Sequence, residues 1–231
     1  FVKNDTNCTV LQHKELEADD LIAGWIQSHP DDHHTIVSSD SDFYQLLAGN
    51  VNQYNGISDE LHTLEGIFDK KGERVIDKKT SEPKIIPDPQ YLLFKKCIRG
   101  DTSDNVFSAF PGVREKGSKN KVGLLEAYED KNKKGYNWNN LMLQRWVDHN
   151  EVEHRVLDDY ERNRILVDLT MQPDDIKTKI AGTIAEGMVV KQNPMVGAKF
   201  LKFCGRYDLT KLSDNASTIA DFLSAPYPTK V

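Results

Sequence analysis

Apolar residues change their spacing several times along the chain. From Glu17 onward Leu21, Ile22, Trp25 and Ile26 recur at the period of a helix face, and "HPDD" closes the run. "CTVLQ" (8–12), "HHTIVSS" and "VNQYNGI" have strand character, and "DFYQLLA" is a short helix closed by Gly49 and Asn50. In order these predict β-α-β-α-β, which calls for a parallel sheet with helices packed on its faces. "LHTLEGIFDKKGERVIDKKTSEPK" holds two short alternating runs around Lys70-Lys71-Gly72, the pattern of a hairpin or extended excursion. "PDPQYLLFKKCIRG" starts with proline at a helix entrance and stops at Gly100. Residues 101–225 read mostly as helix, interrupted at "FPGVREKGSKNK", "DKNKKGYNW" and "MQPDD". The predicted class is α/β, with a mostly parallel sheet within 1–100 and a mainly helical region over 101–231.

Composition narrows the class. With 231 residues and 38% hydrophobic content, the chain can bury a sizeable core. It has no apolar run of bilayer-spanning length and no secretory signal at the start. Its three cysteines, Cys8, Cys97 and Cys204, are far apart and odd in number, which fits buried thiols in a reducing compartment. The formal net charge of −6 argues against a general nucleic-acid coat, but not against a nuclease whose acidic site is offset by metal ions.

Carboxylates gather at three element ends: Glu17-Ala18-Asp19-Asp20 at a helix start, Asp40-Ser41-Asp42 after a strand, and Gly100-Asp101 with Asp104-Asn105 after a helix. Each has an ordinary explanation as a helix cap, a turn or a loop. Three together at the mouths of α/β elements point instead to a shared site beyond the strand ends. Only hard oxygen donors gather there, which suits Mg²⁺ or Mn²⁺, as two ions, and not zinc. "DDHH" (31–34) reads as a polar connection. Residues two apart on a regular helix lie about 200° apart, so Glu17 reaches the same site as Asp19 only from before the first turn.

"ELEADDLIA", "IVSSDSDFYQLL", "IRGDTSDNV" and "ERNRILVDL", in this order and spacing, resemble the flap-endonuclease (5′-nuclease) superfamily. Within it the likeness is greatest to the ribonuclease H branch of T-even-type phages, including "AKFLKFCGRYDLTKL" near the C-terminus, and it spans Leu11 to Leu223. The resemblance implies a PIN-like nuclease domain, its C-terminal part within 1–100. It also implies a helical domain over 101–231, with a helix–three-turn–helix element near 105–130 that grips duplex DNA. It implies divalent-metal hydrolysis of RNA or DNA from a 5′ end, flap cleavage and removal of RNA primers in phage-type replication. Glu17, Asp19, Asp40, Asp42, Asp101 and Asp104 fall on the family's metal positions, with Asp19, Asp40, Asp42 and Asp104 the catalytic candidates. Asp20 is read as a cap or outer group.

Two departures are expected to matter. The family begins with a strand aspartate, a further aspartate and a basic helical arch, and this sequence starts downstream of them at Phe1. A chain without that segment is expected to fold in part and cleave little. The family's duplex-gripping turn usually reads Gly-Ile-Gly-x-Lys; here "PGVREKGSKNK" keeps Gly112 and places Arg114 at the second glycine, which bears on any K⁺ held by the turn's carbonyls. Gly112, Arg114, Lys116, Lys119 and Lys121 are the DNA-binding candidates, through phosphate contacts that ignore sequence; the alternative is a solvated loop. Lys70, Lys71, Arg74, Lys78 and Lys79 form a weaker candidate surface, or a charged hairpin tip that protects an edge. Trp25 and Phe43 read as core, Tyr44 as core or a base-stacking residue, and Arg162 and Arg164 as partners of nearby acids.

The implied partners are DNA and RNA–DNA duplexes with a 5′ end or flap, and a single-strand-binding protein or sliding clamp. A monomer without membrane association, in the cytoplasm of an infected bacterium, completes the expectation. The competing readings are a non-catalytic DNA-binding remnant and the nuclease domain of a DNA polymerase.

Overall fold

A computed structural model of the chain describes residues 1–118 and 121–227. Its first elements are helices α1 (Val2–Asp5) and α2 (Ala18–Ser28), strand β1 (His34–Val37), a 3-10 helix (Ser41–Leu46), and strands β2 (Val51–Asn55), β3 (Glu60–Thr63) and β4 (Gly66–Asp69). Helices α3 (Pro89–Arg99), α4 (Leu124–Glu129) and α5 (Tyr136–Met142), strands β5 (Arg145–Val147) and β6 (Glu153–Arg155), and helix α6 (Val156–Val167) follow. Helices α7 (Asp174–Gly187), α8 (Val196–Arg206), α9 (Thr210–Ser213) and α10 (Ala216–Ser224) end the described chain. No helix among the described residues is long and apolar enough to cross a membrane.

The chain forms two units: Phe1–Trp25 with the described residues from Asp174 onward, and Ile26–Pro173. In the first unit, Val196, Phe200 and Cys204 recur every fourth residue along α8 and are buried. Phe1 stacks on Phe203 with ring centroids 4.7 Å apart. The strand expected at 8–12 is absent. Thr9 and Leu11 pack against Gly187 of α7, so this stretch lies on a helix and not in a sheet.

In the second unit β1 and β2 pair in parallel across the 3-10 helix, as the pattern predicts. The sheet then continues β1-β2-β3-β4 with both further pairings antiparallel. That corrects the expectation of a mostly parallel sheet. Turns of a few residues join β2 to β3 and β3 to β4, and such short links can connect only antiparallel neighbours. The excursion turns at Lys70–Gly72, where the Gly72 N–H donates to Asp69 O at 2.9 Å.

Helix α3 has clear local causes. Asp88 caps it by accepting the Gln90 N–H at 2.9 Å, Pro89 opens the first turn, and Gly100 ends it. Its Phe94, Cys97 and Ile98 join Leu124 and Ala127 of α4, Trp138, Leu141 and Met142 of α5, and Val156, Tyr160 and Val167 of α6 in one core. The boundary read at residue 100 therefore falls inside this unit. The hairpin of β5 and β6 interrupts a region read as helical. Phe43 is buried as expected, Trp25 is half-buried, and burial pushes the Cys97 thiol up to about 12.

Candidate metal centre

Asp42, Asp101 and Asp104 meet in the second unit: one carboxylate oxygen of each lies within 4.8 Å of the others. Local hydrogen bonding aims them. Asp40 caps the 3-10 helix, its Oδ1 accepting the Asp42 N–H at 2.9 Å. Buried Gln53 of β2 donates to Ser38 O at 2.9 Å and Asp40 O at 2.7 Å, fixing the strand end that leads into this cap. Gly100 stands at φ +74, and a side chain there would run into the backbone of Val106 and Phe107. Past it, Asp101 and Val106 exchange both backbone hydrogen bonds at 2.8 Å, closing the loop that carries Asp104.

A lysine completes the cluster. Lys96 Nζ lies 2.5 Å from Asp42, 2.7 Å from Asp101 and 3.2 Å from Asp104. Two carboxylates at such separations repel by roughly 3 kcal/mol at an effective dielectric of 20, so three together call for a cation. Burial disfavours the Lys96 charge, but its hydrogen bonds to Asp101 and Asp42 outweigh this and hold its pKa above the ordinary lysine value. Lys96, followed by the hydrogen bonds from Ser103, holds Asp101 well below the usual carboxylate range. The site thus accepts a cation in place, and its all-oxygen donor set matches a hard divalent ion.

The other acidic candidates are not among these three. Asp40 is exposed and is not one of the converging three; its carboxylate serves as the cap. Glu17 and Asp19 belong to the first unit, where the Glu17 N–H donates to Asp20 Oδ2 at 3.4 Å. Lys96 escaped sequence reasoning because a lysine beside Cys97 on an amphipathic helix looks like a solvated charge. Its spacing, one turn before Gly100-Asp101, was the available signal.

The basic turn follows. Gly112 has φ +73, a conformation that favours glycine, and Arg114, Lys116 and Lys121 are exposed. Lys119 lies outside the described residues. Glu126 gathers the turn by accepting the Gly117 N–H at 3.0 Å and the Gly123 N–H at 3.1 Å. Glu115 ties it to α3, reaching Lys95 at 2.9 Å, Arg99 at 3.0 Å and the Tyr91 hydroxyl at 2.5 Å. Tyr44 donates to or accepts from His62 Nδ1 at 3.1 Å and is half-buried. Arg162 pairs with Asp159 at 2.6 Å and Arg164 with Asp168 at 3.3 Å.

The Tyr91 hydroxyl, then Lys95, holds the Glu115 carboxyl below its ordinary value of 4.5. A lowered folded pKa gives stability that is present above the unfolded value and lost as pH falls through the folded one. Glu115→Gln should therefore lower the melting temperature at neutral pH, and its gap from wild type should shrink as the pH falls through and below 4.5. Thermal unfolding followed across that range checks this; a constant gap would contradict it.

No family model matches the chain. It is 25% identical to DNA polymerase I of Rhizobium leguminosarum over 219 residues, which are 93% of this chain and 18% of that protein. It is 36% identical to a 5′-3′ exonuclease of Aquifex aeolicus over 121 residues, 52% of this chain and 36% of that one. The chain thus spans well under half the length of both curated relatives. Among solved structures, a bacteriophage T5 flap endonuclease complex with DNA and metal ions aligns at a TM-score of 0.44 and 20% identity, over 76% of this chain and 61% of that one. The chain is thus similar, over part of their length, to a DNA polymerase I and to a 5′-3′ exonuclease.

Proposed function

We propose that the chain is a divalent-metal-dependent 5′-3′ exonuclease and flap endonuclease. It hydrolyses phosphodiesters in DNA and RNA–DNA duplexes and removes RNA primers during replication. The observation that carries this reading is the convergence of Asp42, Asp101 and Asp104 around one cationic position. These three would hold Mg²⁺ or Mn²⁺, with Asp40 as a further acid beside them. A divalent ion bound there would supply activation of water for attack on a phosphodiester and charge stabilisation of the departing oxygen. The carboxylates serve as ligands and not as nucleophiles. Lys96 keeps the trio charge-compensated in the ion-free protein.

In this reading Arg114, Lys116, Lys119 and Lys121 grip duplex phosphates from a helix–three-turn–helix element. Gly112 shapes its turn, and K⁺ on the turn's carbonyls is part of the proposal. A sliding clamp or single-strand-binding protein is the proposed replication partner. Lys116→Ala with Lys121→Ala should weaken duplex binding evenly across sequences. It should flatten the slope of log K against log salt by about 0.9 for each lost phosphate contact. Anisotropy titrations at several salt concentrations measure this; an unchanged slope would return both lysines to the solvent.

The test of the whole reading is incubation of the chain with a 5′-flap duplex and with an RNA–DNA duplex, in Mg²⁺ and in EDTA. Short products released from the 5′ end in Mg²⁺ and not in EDTA would support the reading. Lys96 favours a second reading, a DNA-binding protein without catalysis, because its ammonium already fills the position between the carboxylates. Duplex binding with no cleavage in either Mg²⁺ or Mn²⁺ would select that second reading.

A further inference from the structure

Asn163 sits on α6 in "ERNRILVDL", between two arginines that pair with their own acids. It is fully buried. Its Nδ2 donates to Cys97 O at 2.8 Å and to Phe107 O at 2.7 Å. Its Oδ1 accepts from Arg162 Nε at 3.3 Å and Nη2 at 3.2 Å. The amide's full hydrogen-bonding capacity is used inside the protein.

The two carbonyls are not arbitrary. Cys97 lies in the last turn of α3, where helix geometry leaves carbonyls without an N–H partner. The Asp101 N–H turns away to Val106 O, so Asn163 takes the place of the missing donor at Cys97. Phe107 is the first residue beyond the bridge that closes the Asp101–Val106 loop. One side chain therefore clasps both ends of the segment that carries Asp101 and Asp104. A parallel fastening lies beside it: Ile98 O accepts the Ala109 N–H at 2.9 Å and the Ser108 hydroxyl at 3.1 Å.

We propose that Asn163 is a positioning residue for the metal centre, holding the Asp101–Asp104 loop against α3 so that its carboxylates meet Asp42. This rests on the metal reading given above. The chemistry demands an amide. Aspartate would set an oxygen against two carbonyls, and alanine would leave both carbonyls buried without a donor. A cation site built from two loops loses affinity when the groups behind its ligands are removed, by about 10- to 100-fold in typical cases.

The experiment is Mn²⁺ titration by calorimetry of the full chain as wild type, Asn163→Ala, Asn163→Ser and Leu141→Ala. Leu141 is fully buried in the same core but bonds to nothing in the loop, so it controls for lost stability. The expected result is about 10-fold or more weaker Mn²⁺ binding in Asn163→Ala, an intermediate loss in Asn163→Ser, and wild-type affinity in Leu141→Ala at a temperature where all are folded. Amide exchange should quicken in the 98–110 segment of Asn163→Ala and not in that of Leu141→Ala. Should the alanine variant fail to fold, the serine variant makes the same comparison. Wild-type affinity in the Asn163 variants would overturn this inference alone. Wild-type protein that binds no Mn²⁺ would overturn the metal reading and the inference with it.

Discussion

Asp101→Asn is expected to cut Mg²⁺-dependent cleavage by more than about 100-fold, because losing an outer-shell partner alone typically costs 10- to 100-fold and Asp101 is a direct ligand in this account. Asp101 is one of the three converging carboxylates, 2.7 Å from Lys96 and with Ser103 bound to its other oxygen. Asparagine keeps the shape and can still accept the Ser103 N–H. What it removes is one of the negative charges that a divalent ion would need. The fold should survive, since loss of that charge also relieves repulsion from Asp42 and Asp104. Paired measurements decide the matter: initial cleavage rates on a 5′-flap duplex, and circular dichroism of the same preparations. A folded variant that cleaves within about tenfold of wild type would show that Asp101 is not a ligand.

Phe94→Ala should destabilise the second unit by about 3–5 kcal/mol, the usual cost of deleting a buried phenyl ring. Phe94 is 3% exposed and faces three rings, Tyr128 and Tyr160 at centroid distances of 5.6 Å and Trp138 at 6.0 Å. Such pairs add about 0.5–1.5 kcal/mol each beyond burial, so the upper half of the range is favoured. The consequence reaches the site, because Phe94 anchors the helix that presents Lys96 and ends at Gly100-Asp101. Urea unfolding with a fixed slope gives the number directly. A loss under about 1 kcal/mol would mean that this cluster is not the core of the unit.

The parts of the molecule that the sequence specifies locally were legible. Asp88, Pro89 and Gly100 bracket α3, and the apolar run of β1 pairs with β2 in parallel. "SDSD" and "GDTSDN" deliver Asp42, Asp101 and Asp104 to one place. What was misread depends on distant partners. "CTVLQ" has the composition of a strand, yet Leu11 rests on α7. The sheet beyond β2 is antiparallel because its turns are short, a property of loop length more than of residue type. Asp40 also caps the 3-10 helix, accepting the Asp42 N–H, a role that its spacing from Asp42 does not reveal. Lys96 and Asn163 were overlooked for opposite reasons: one resembles a solvated charge, the other a polar interruption in an apolar helix. Each acquires its role only when a chain segment far away in sequence folds against it.

The most direct test of the central claim is a Mn²⁺ titration of wild type beside Asp42→Asn, Asp101→Asn and Asp104→Asn, followed by the paramagnetic signal of free Mn²⁺. Saturable binding is expected in wild type and should weaken by at least about tenfold in each of the three variants, since each residue supplies a ligand to the same ion. Undiminished binding in all three would place the ion elsewhere and leave the acidic cluster as an ion-pair network around Lys96.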